Sequence, residues 1–326
     1  MRRGAQNVLH SGGLSQTLFT EADLDDLHVA TVQVLERAGV LVESDEALDI
    51  FADGGCLVDR ETHVVKIPEH VLADALASAK SSFWLCGRDP GDDVLVEVGR
   101  TCVSPFAEGL LVNDLETGEN RPSTVADVAT HCRIADALEQ MDFNIVSVTG
   151  REAPIETAAV HNLAAALPNT TKPMNMSMTT QHEAELCIDM AAAVVGGRDA
   201  LRDRPLVYFG SCPVAPMNLC ETLTDALLPT VRAGLPFLTI SMGMAGGSTP
   251  ITLAGTLVVQ NTELLATYVL TQLVNRGNPF VYGNSTCTMD LRWGSSAVGT
   301  PETALYQAGS VALATYYGLP SWSAGY

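Results

Sequence analysis

The sequence is poor in basic residues, and lysine is rare. Among 326 residues there are 18 Lys and Arg against 38 Asp and Glu, which gives a formal net charge of −20. The only lysines are Lys66, Lys80 and Lys172. A surface this acidic repels nucleic-acid phosphates and anionic lipid headgroups, so we expect neither a nucleic acid nor a membrane as partner. The 47% hydrophobic content indicates a folded, globular chain.

Long apolar runs are also missing. After the basic start Met1–Gly4, residues 5–16 are polar where a signal peptide has its apolar core. The most apolar stretch, Ile251–Val274, is interrupted by Gln260, Asn261 and Glu263, which makes it a poor membrane span. These two features predict a cytoplasmic protein.

The spacings typical of metal and disulfide sites do not occur. The eight cysteines form no C-x-x-C pair, and in a cytoplasmic chain we expect them to be reduced thiols, mostly in the core. No H-x-x-x-H or H-x-C spacing is found, and His161 and His182 fall on predicted helices away from strand ends. We therefore predict that the chain itself binds no metal.

The first part of the chain, residues 1–140, is predicted to be an α+β extension. Helical spacing of apolar residues and capping residues predict four helices, at 20–38, 45–53, 68–79 and 124–138. Short β-rich runs at 83–86, 94–98 and 110–112 are separated by turn residues and predict strands.

Residues 141–326 show a regular alternation of short apolar runs and helical stretches. The runs lie at 143–148, 173–178, 206–210, 237–241, 280–282 and 321–323. Apolar strands followed by helices are typical of a parallel sheet covered by helices. The fold class is therefore α/β, and we predict a TIM-type (β/α)₈ barrel. Such a barrel needs eight strands, so the roughly six predicted here make it incomplete in this chain.

In parallel α/β folds the functional residues lie at the carboxyl ends of the strands. From these ends we predict substrate contacts at Tyr282, Asn284, Ser211, Trp322 and Tyr326. Aromatic rings attract organic cations, and core packing is the alternative for each ring. We favour packing for Trp293, and we expect Glu263 and Glu302 to be structural.

A glycine-rich loop follows the fourth of these strands. It contains Met244, Gly246, Gly247 and Ser248 but has neither a G-K-[ST] ending nor a G-x-G-x-x-G pattern. Its small residues are equally consistent with phosphate contact, with a tight strand-to-helix turn, or with space for a bulky cofactor held by a partner.

Several segments along nearly the whole chain resemble the trimethylamine:corrinoid methyltransferase family. They are Gly39–Ser44, Cys86–Pro90, Met244–Leu257, Pro301–Leu305 and Tyr316–Ser321, of which the Met-Ala-Gly-Gly segment is the most specific. The resemblance implies a TIM barrel with an amino-terminal extension. It also implies methyl transfer from trimethylamine to the Co(I) corrinoid of a small separate carrier protein, with Met244, Gly246, Gly247 and Ser248 facing the corrinoid. Quaternary amines such as glycine betaine are the alternative substrates, and a non-catalytic barrel that binds a small cation is the alternative function.

Members that act on trimethylamine carry pyrrolysine, encoded by an in-frame amber codon, soon after the segment that corresponds to Gly318–Pro320. The resemblance therefore places the catalytic residue just after Tyr326. We expect an amber codon after Tyr326, and a deliberate truncation or an incomplete gene is the competing explanation. We also expect the 326-residue chain to be inactive alone and the full-length protein to be a homo-oligomer.

Overall fold

The computed structural model describes residues 18–324. The first elements are short helices alternating with short strands. In chain order they are α1 (Glu21–Arg37), β1 (Val40–Val42), α2 (Asp45–Asp53), β2 (Leu57–Asp59), β3 (Val64–Lys66), α3 (Glu69–Leu76), β4 (Ser82–Leu85), β5 (Val94–Glu97), β6 (Leu111–Asn113), β7 (Asn120–Pro122) and α4 (Val125–Ala137). The four predicted helices are confirmed. Thr20 begins α1 with a capping box, because its hydroxyl accepts from the Asp23 N–H while the Asp23 carboxylate accepts from the Thr20 N–H.

The following elements alternate strands and helices with greater regularity. They are β8 (Asn144–Ile145), α5 (Ala158–Ala166), β9 (Met174–Ser177), α6 (Gln181–Val195), α7 (Arg198–Asp203), β10 (Val207–Ser211), β11 (Asn218–Leu219), α8 (Glu221–Arg232), β12 (Phe237–Ser241), β13 (Met244–Ala245), α9 (Leu253–Val274), β14 (Phe280–Asn284), β15 (Cys287–Asp290), β16 (Ser295–Ala297), α10 (Pro301–Tyr316) and β17 (Ser321–Ser323). Three single turns of 3₁₀ helix lie at Pro90–Asp92, Ile155–Thr157 and Leu167–Asn169.

Six parallel strands form the main sheet, in the order β8-β9-β10-β12-β14-β17. Each of the six apolar runs overlaps one strand of this sheet, and the spatial order of the strands is their order in the sequence, as in a TIM-type barrel. Helices cross between consecutive strands, and β8 and β17 lie at the two edges of this sheet. The fold is therefore α/β, with a parallel sheet that corresponds to part of a barrel.

The sheet has two faces, which differ in what covers them. On the outer face, Phe209, Phe237, Phe280 and Tyr282 belong to a large apolar cluster shared with the crossing helices, α9 among them. On the inner face, the alternate residues Tyr208, Leu238 and Val281 pack against Phe83 and Leu85 of the β4–β5 hairpin. Successive side chains of a strand point to opposite faces, so each apolar strand contributes to both layers.

A small sheet joins the amino-terminal elements to the barrel strands. Its order is β11-β1-β3-β2, and β1 pairs with β11 in parallel, with Leu41 opposite Asn218. Gly39 precedes β1 at φ +78°, where a Cβ would lie 2.4 Å from the Val65 carbonyl oxygen. The Glu43 carboxylate accepts from the Asn218 side-chain amide (2.8 Å) and from the Glu221 N–H (3.0 Å). The Gly39–Ser44 segment therefore fixes the extension to β11 and to the start of α8.

Runs of two to four residues carry little periodic signal, and the short strands β1–β3, β7, β11, β13, β15 and β16 were not predicted. Between residues 18 and 324, none of the helices combines the length and the apolar character that crossing a bilayer requires.

Candidate functional site

The candidate site consists of the segments that follow the carboxyl ends of the parallel strands. Ser211 ends β10, Ser241 ends β12 and Asn284 ends β14. Because these parallel strands are neighbours, the three residues lie close together along the carboxyl-terminal end of the sheet. The Ser285 N–H donates to the Ser241 carbonyl oxygen at 2.9 Å, which continues the pairing of β12 and β14 just past their carboxyl ends.

Tyr282 lies on the outer face, with its ring between the sheet and α9. The side chain is fully buried, and its hydroxyl donates to Asn261 Oδ1 at 2.9 Å. Burial raises the pKa of the Tyr282 hydroxyl well above its usual value, so the phenol is neutral at physiological pH. Although Tyr282 and Trp322 were both predicted to contact the substrate, the structure places their side chains on opposite faces of the sheet.

Asn284 is held by hydrogen bonds within the same layer. Its side-chain amide donates to the Tyr306 carbonyl oxygen (3.2 Å) and to Gln307 Oε1 (3.1 Å), and its Oδ1 accepts from the Thr286 N–H (2.7 Å). Gln307 Oε1 also accepts from the Ser323 hydroxyl at 2.6 Å. Asn284 thus connects the ends of β14 and β17 through α10.

Ser211 is buried at the end of β10 and is followed by a sulfur-rich surface. Cys212 Sγ lies 3.6 Å from Met242 Sδ, across the ends of β10 and β12. Burial, and then the nearby Glu108 carboxylate, raise the pKa of the Cys212 thiol to about 12. A thiol with this pKa is a poor nucleophile at physiological pH.

Trp322 faces the inner side of the sheet, where a cavity of about 410 Å³ lies between β17, β14, β10 and the β4–β5 hairpin. Four further aromatic rings line this cavity, namely Phe83, Phe106, Phe143 and Tyr208. Arg100 also lines it; its side chain is 11% exposed, and its Nη2 has no hydrogen-bond partner. Neither Tyr208 nor Arg100 was predicted, because a continuous apolar run does not show that Tyr208 faces inward and no pattern marks Arg100. The predicted contact Tyr326 lies outside the described residues.

The glycine-rich loop is closed by its own backbone. The N–H groups of Gly247 and Ser248 both donate to the Met244 carbonyl oxygen at 2.9 Å. The Gly246 N–H donates to the Thr249 carbonyl oxygen, also at 2.9 Å. A Cβ on Gly247 would lie 2.4 Å from Met289 Sδ. These donors are therefore not directed at an anion, and turn formation and close packing account for the glycines.

An apolar surface adjoins this loop. Ile251 is 71% exposed and Leu291 is 66% exposed, and a Cβ on Gly246 would lie 3.7 and 3.8 Å from their side chains. The prediction that Trp293 packs in the core is wrong, because its side chain is 76% exposed in the turn between β15 and β16. Three exposed apolar side chains in one region are consistent with a surface that binds another protein.

Two buried glutamates fix the segments after the strands, through contacts that no sequence pattern predicted. Glu183 accepts from the Ala159 N–H (3.2 Å) and from the Thr179 hydroxyl (2.7 Å). Glu263 accepts from the Met217 N–H (2.8 Å) and from the Ser241 hydroxyl (2.6 Å). Glu302 lies in the first turn of α10, as predicted. Within residues 18–324, no group of three or more His, Cys, Asp or Glu side chains could hold a metal ion.

The chain was compared with known protein families and sequences. A family model described as trimethylamine methyltransferase (MTTB) matches residues 4–326. The trimethylamine methyltransferase MttB of Desulfitobacterium hafniense is 41% identical over 307 residues, covering 94% of this chain and 62% of the relative. The MttB of Methanosarcina thermophila is 36% identical over 321 residues, covering 96% of this chain and 66% of the relative. A glycine betaine methyltransferase of D. hafniense is 29% identical over 309 residues, covering 94% and 64%. The chain thus spans less than two thirds of the length of these relatives.

Among solved structures, the fold is similar to the monomethylamine methyltransferase (MtmB) of Methanosarcina barkeri. The TM-score is 0.56 at 16% sequence identity, and the match covers 93% of this chain and 66% of the other. At 16% identity this structural similarity supports the fold alone. The assignment to a family rests on the family model that matches residues 4–326. The chain belongs to the trimethylamine methyltransferase (MTTB) family.

Proposed function

We propose that this chain supplies the larger part of an enzyme that transfers a methyl group from trimethylamine to the Co(I) corrinoid of a separate carrier protein. The observation that carries the proposal is the family-model match over residues 4–326, together with the 41% identity to a protein named trimethylamine methyltransferase. When bound, the corrinoid of the carrier protein supplies the cobalt centre that accepts the methyl group.

The reaction requires the C–N bond to break with its electron pair left on nitrogen, so the nitrogen must carry positive charge as the methyl group departs. The protein can contribute binding, orientation and the exclusion of water. The net charge of −20 favours a cationic substrate over an anionic one.

For the substrate we propose contacts by Trp322 and Tyr326, with Ser211, Asn284 and Tyr282 in supporting positions. The Trp322 ring lines the inner cavity, where its π face can interact with a methylated ammonium group. The hydrogen bonds of Asn284 and Tyr282 hold the strand ends behind this face.

We propose that the loop containing Met244, Gly246, Gly247 and Ser248 faces the corrinoid of the carrier protein. Gly247 is exposed, so the loop backbone is accessible beside the strand ends. The exposed side chains of Ile251, Leu291 and Trp293 give the carrier protein an apolar surface beside the loop.

We further propose that two additional strands complete an eight-stranded barrel in the whole protein, pairing with the edge strands β8 and β17 and covering the inner cavity. Two observations support this arrangement. The six strands have barrel order with two edges, and the chain spans 62% and 66% of the two relatives named MttB.

The experiment is a methyl-transfer assay with a reduced corrinoid carrier protein and trimethylamine, monomethylamine or glycine betaine as the methyl donor. The 326-residue chain and a product that continues past Tyr326 are compared, with the codon after Tyr326 read from the gene. We expect turnover with trimethylamine from the extended product alone. Turnover with glycine betaine alone would favour the quaternary-amine alternative, and the absence of turnover with all three donors would contradict the proposal.

A further inference from the structure

A buried carboxylate lies directly behind the strand ends. Glu263, in the middle of α9, is 0% exposed. Its Oε1 accepts from the Met217 N–H at 2.8 Å, and its Oε2 accepts from the Ser241 hydroxyl at 2.6 Å. One side chain therefore binds two segments that are far apart in the sequence.

Both segments follow strands of the main sheet. Met217 lies in the loop after β10, with φ +54°, and leads into β11, which pairs with β1 of the amino-terminal extension. Ser241 ends β12 and precedes the glycine-rich loop, and its carbonyl oxygen accepts from the Ser285 N–H after β14. Through two hydrogen bonds Glu263 thus influences the ends of three neighbouring strands.

The bonding pattern fits an acceptor-only carboxylate. Each oxygen accepts from a different donor, so both carboxylate oxygens serve as acceptors. Burial raises the pKa of Glu263, and the hydrogen bonds from Ser241 and Met217 offset this rise only in part. No ion pair between described residues includes Glu263. A buried acid without a cationic partner is costly, so its contribution lies in what it holds in place.

We propose that Glu263 is the positioning residue of the methyl-transfer site: its carboxylate fixes the loop after β10 and the glycine-rich loop after β12 relative to each other. The role rests on the function proposed above. Glu263 acts through Met217 and Ser241, and it does not itself contact the substrate.

The test compares three variants of the 326-residue chain by amide hydrogen exchange. Glu263→Gln keeps the volume but replaces one acceptor with a donor, and Ser241→Ala removes only the second hydrogen bond. Thr271→Val is the matched control, because it removes a buried hydrogen bond on the same helix, from Thr271 Oγ1 to the Thr267 carbonyl oxygen, away from the strand ends. Exchange is followed for residues 212–219, residues 242–249 and the rest of the sheet.

With Glu263→Gln we expect exchange in both loops to become about tenfold faster or more, because a neutral amide with a single acceptor oxygen replaces the carboxylate that both donors share. The Met217 amide resonance should also shift. Ser241→Ala should accelerate exchange in residues 242–249 alone. Thr271→Val should accelerate exchange in neither loop. Two outcomes for Glu263→Gln would overturn the proposal: exchange in both loops at the wild-type rate, or exchange that is accelerated equally throughout the sheet. If Glu263→Gln does not fold, Ser241→Ala decides: selective loosening of residues 242–249 supports the role, and unchanged exchange rejects it.

A parallel measurement adds tetramethylammonium to the wild-type chain and follows exchange in the same two loops. Protection supports a cation site at these strand ends. If no protection occurs while Glu263→Gln still loosens both loops, the substrate assignment fails and the positioning role of Glu263 stands.

Discussion

The outer and inner faces of the six-stranded sheet differ in how completely this chain covers them. On the outer face the side chains of Phe280 and Tyr282 are at most 1% exposed, and Tyr282 is hydrogen-bonded to α9. On the inner face the β4–β5 hairpin covers Leu238 and Val281, but a cavity of about 410 Å³ remains beside Trp322. The chain therefore gains most of its stability from the outer layer, while the inner face leaves space for a ligand or for further protein. The following predictions test that division.

The largest expected effect is on the outer face. Phe280→Ala removes a ring that is 1% exposed and packs edge-on against Tyr268, with ring centroids 5.2 Å apart. We expect the free energy of unfolding to fall by about 3–5 kcal/mol, because the transfer free energy of the ring is lost and a cavity is left. Urea unfolding followed by far-UV circular dichroism measures this change.

Trp322→Ala is the matched inner-face variant. Trp322 is only partly buried and borders the cavity, so we expect a loss below about 2 kcal/mol. Losses of equal size for the two variants would show that the inner face is as well packed as the outer face.

The second effect concerns the hydrogen-bond network of the outer layer. Asn261 Oδ1 accepts from the Tyr282 hydroxyl, and its amide donates to Tyr317 (2.8 Å) and Thr31 (2.9 Å). Asn261→Leu leaves the buried Tyr282 hydroxyl without this acceptor, and we expect a loss of about 1–3 kcal/mol. Urea unfolding of Asn261→Leu and of Asn261→Leu/Tyr282→Phe measures it. The double variant should recover part of the loss, and no recovery would contradict the assignment of the cost to Tyr282.

The third effect depends on pH and involves the half-buried end of the same network. His28 Nδ1 lies 3.2 Å from the Tyr317 hydroxyl, and burial lowers the pKa of His28 below 6.5, against the nearby carboxylates Glu69 and Asp25, which raise it. The unfolded chain then binds a proton more readily than the folded chain. The contribution of His28 to stability is therefore present above pH 6.5 and is lost as pH falls from 6.5 through the lowered pKa.

Comparison with His28→Gln separates the pH-dependent contribution of His28 to stability from the contributions of the titrating carboxylates. The difference in unfolding free energy between the wild-type chain and His28→Gln should shrink between pH 7.5 and about pH 5, as measured by urea unfolding at several pH values. A difference that is constant over this interval, or that grows as pH falls, would show that His28 is not held neutral in the folded chain.

The sequence was most informative where apolar residues run continuously. The runs at 206–210 and 237–241 predicted β10 and β12 because parallel strands are buried on both faces. The same property hides orientation, since a continuous run does not show which residues face inward. Tyr282 was therefore predicted as a substrate contact, although its side chain lies on the outer face and that of its neighbour Val281 lies on the inner face.

The contacts of the candidate site were beyond local patterns for a different reason. Glu263 and Met217 are 46 residues apart, and their hydrogen bond depends on how α9 crosses the sheet. The exposure of Trp293 depends on the turn between β15 and β16, two strands that were not predicted. Side-chain type and spacing located the strand ends, whereas the partners of the side chains there follow from tertiary packing.

The smallest expected effect lies on the inner face, at Arg100. Its guanidinium is 3.3 Å from Glu97, and its Nη2 is buried without a partner. Arg100→Met removes both the ion pair and the unsatisfied donor while keeping a long, apolar side chain beside the cavity. Because these effects oppose each other, and because the Glu97 side chain is 39% exposed and can be hydrated, we expect urea unfolding to show a change of less than about 1 kcal/mol. Glu97→Gln, which keeps the arginine, is the control and should also change little. A loss above about 2 kcal/mol for Arg100→Met would mean that Arg100 stabilises the inner layer as Asn261 does the outer one, and the contrast between the two faces would then not hold.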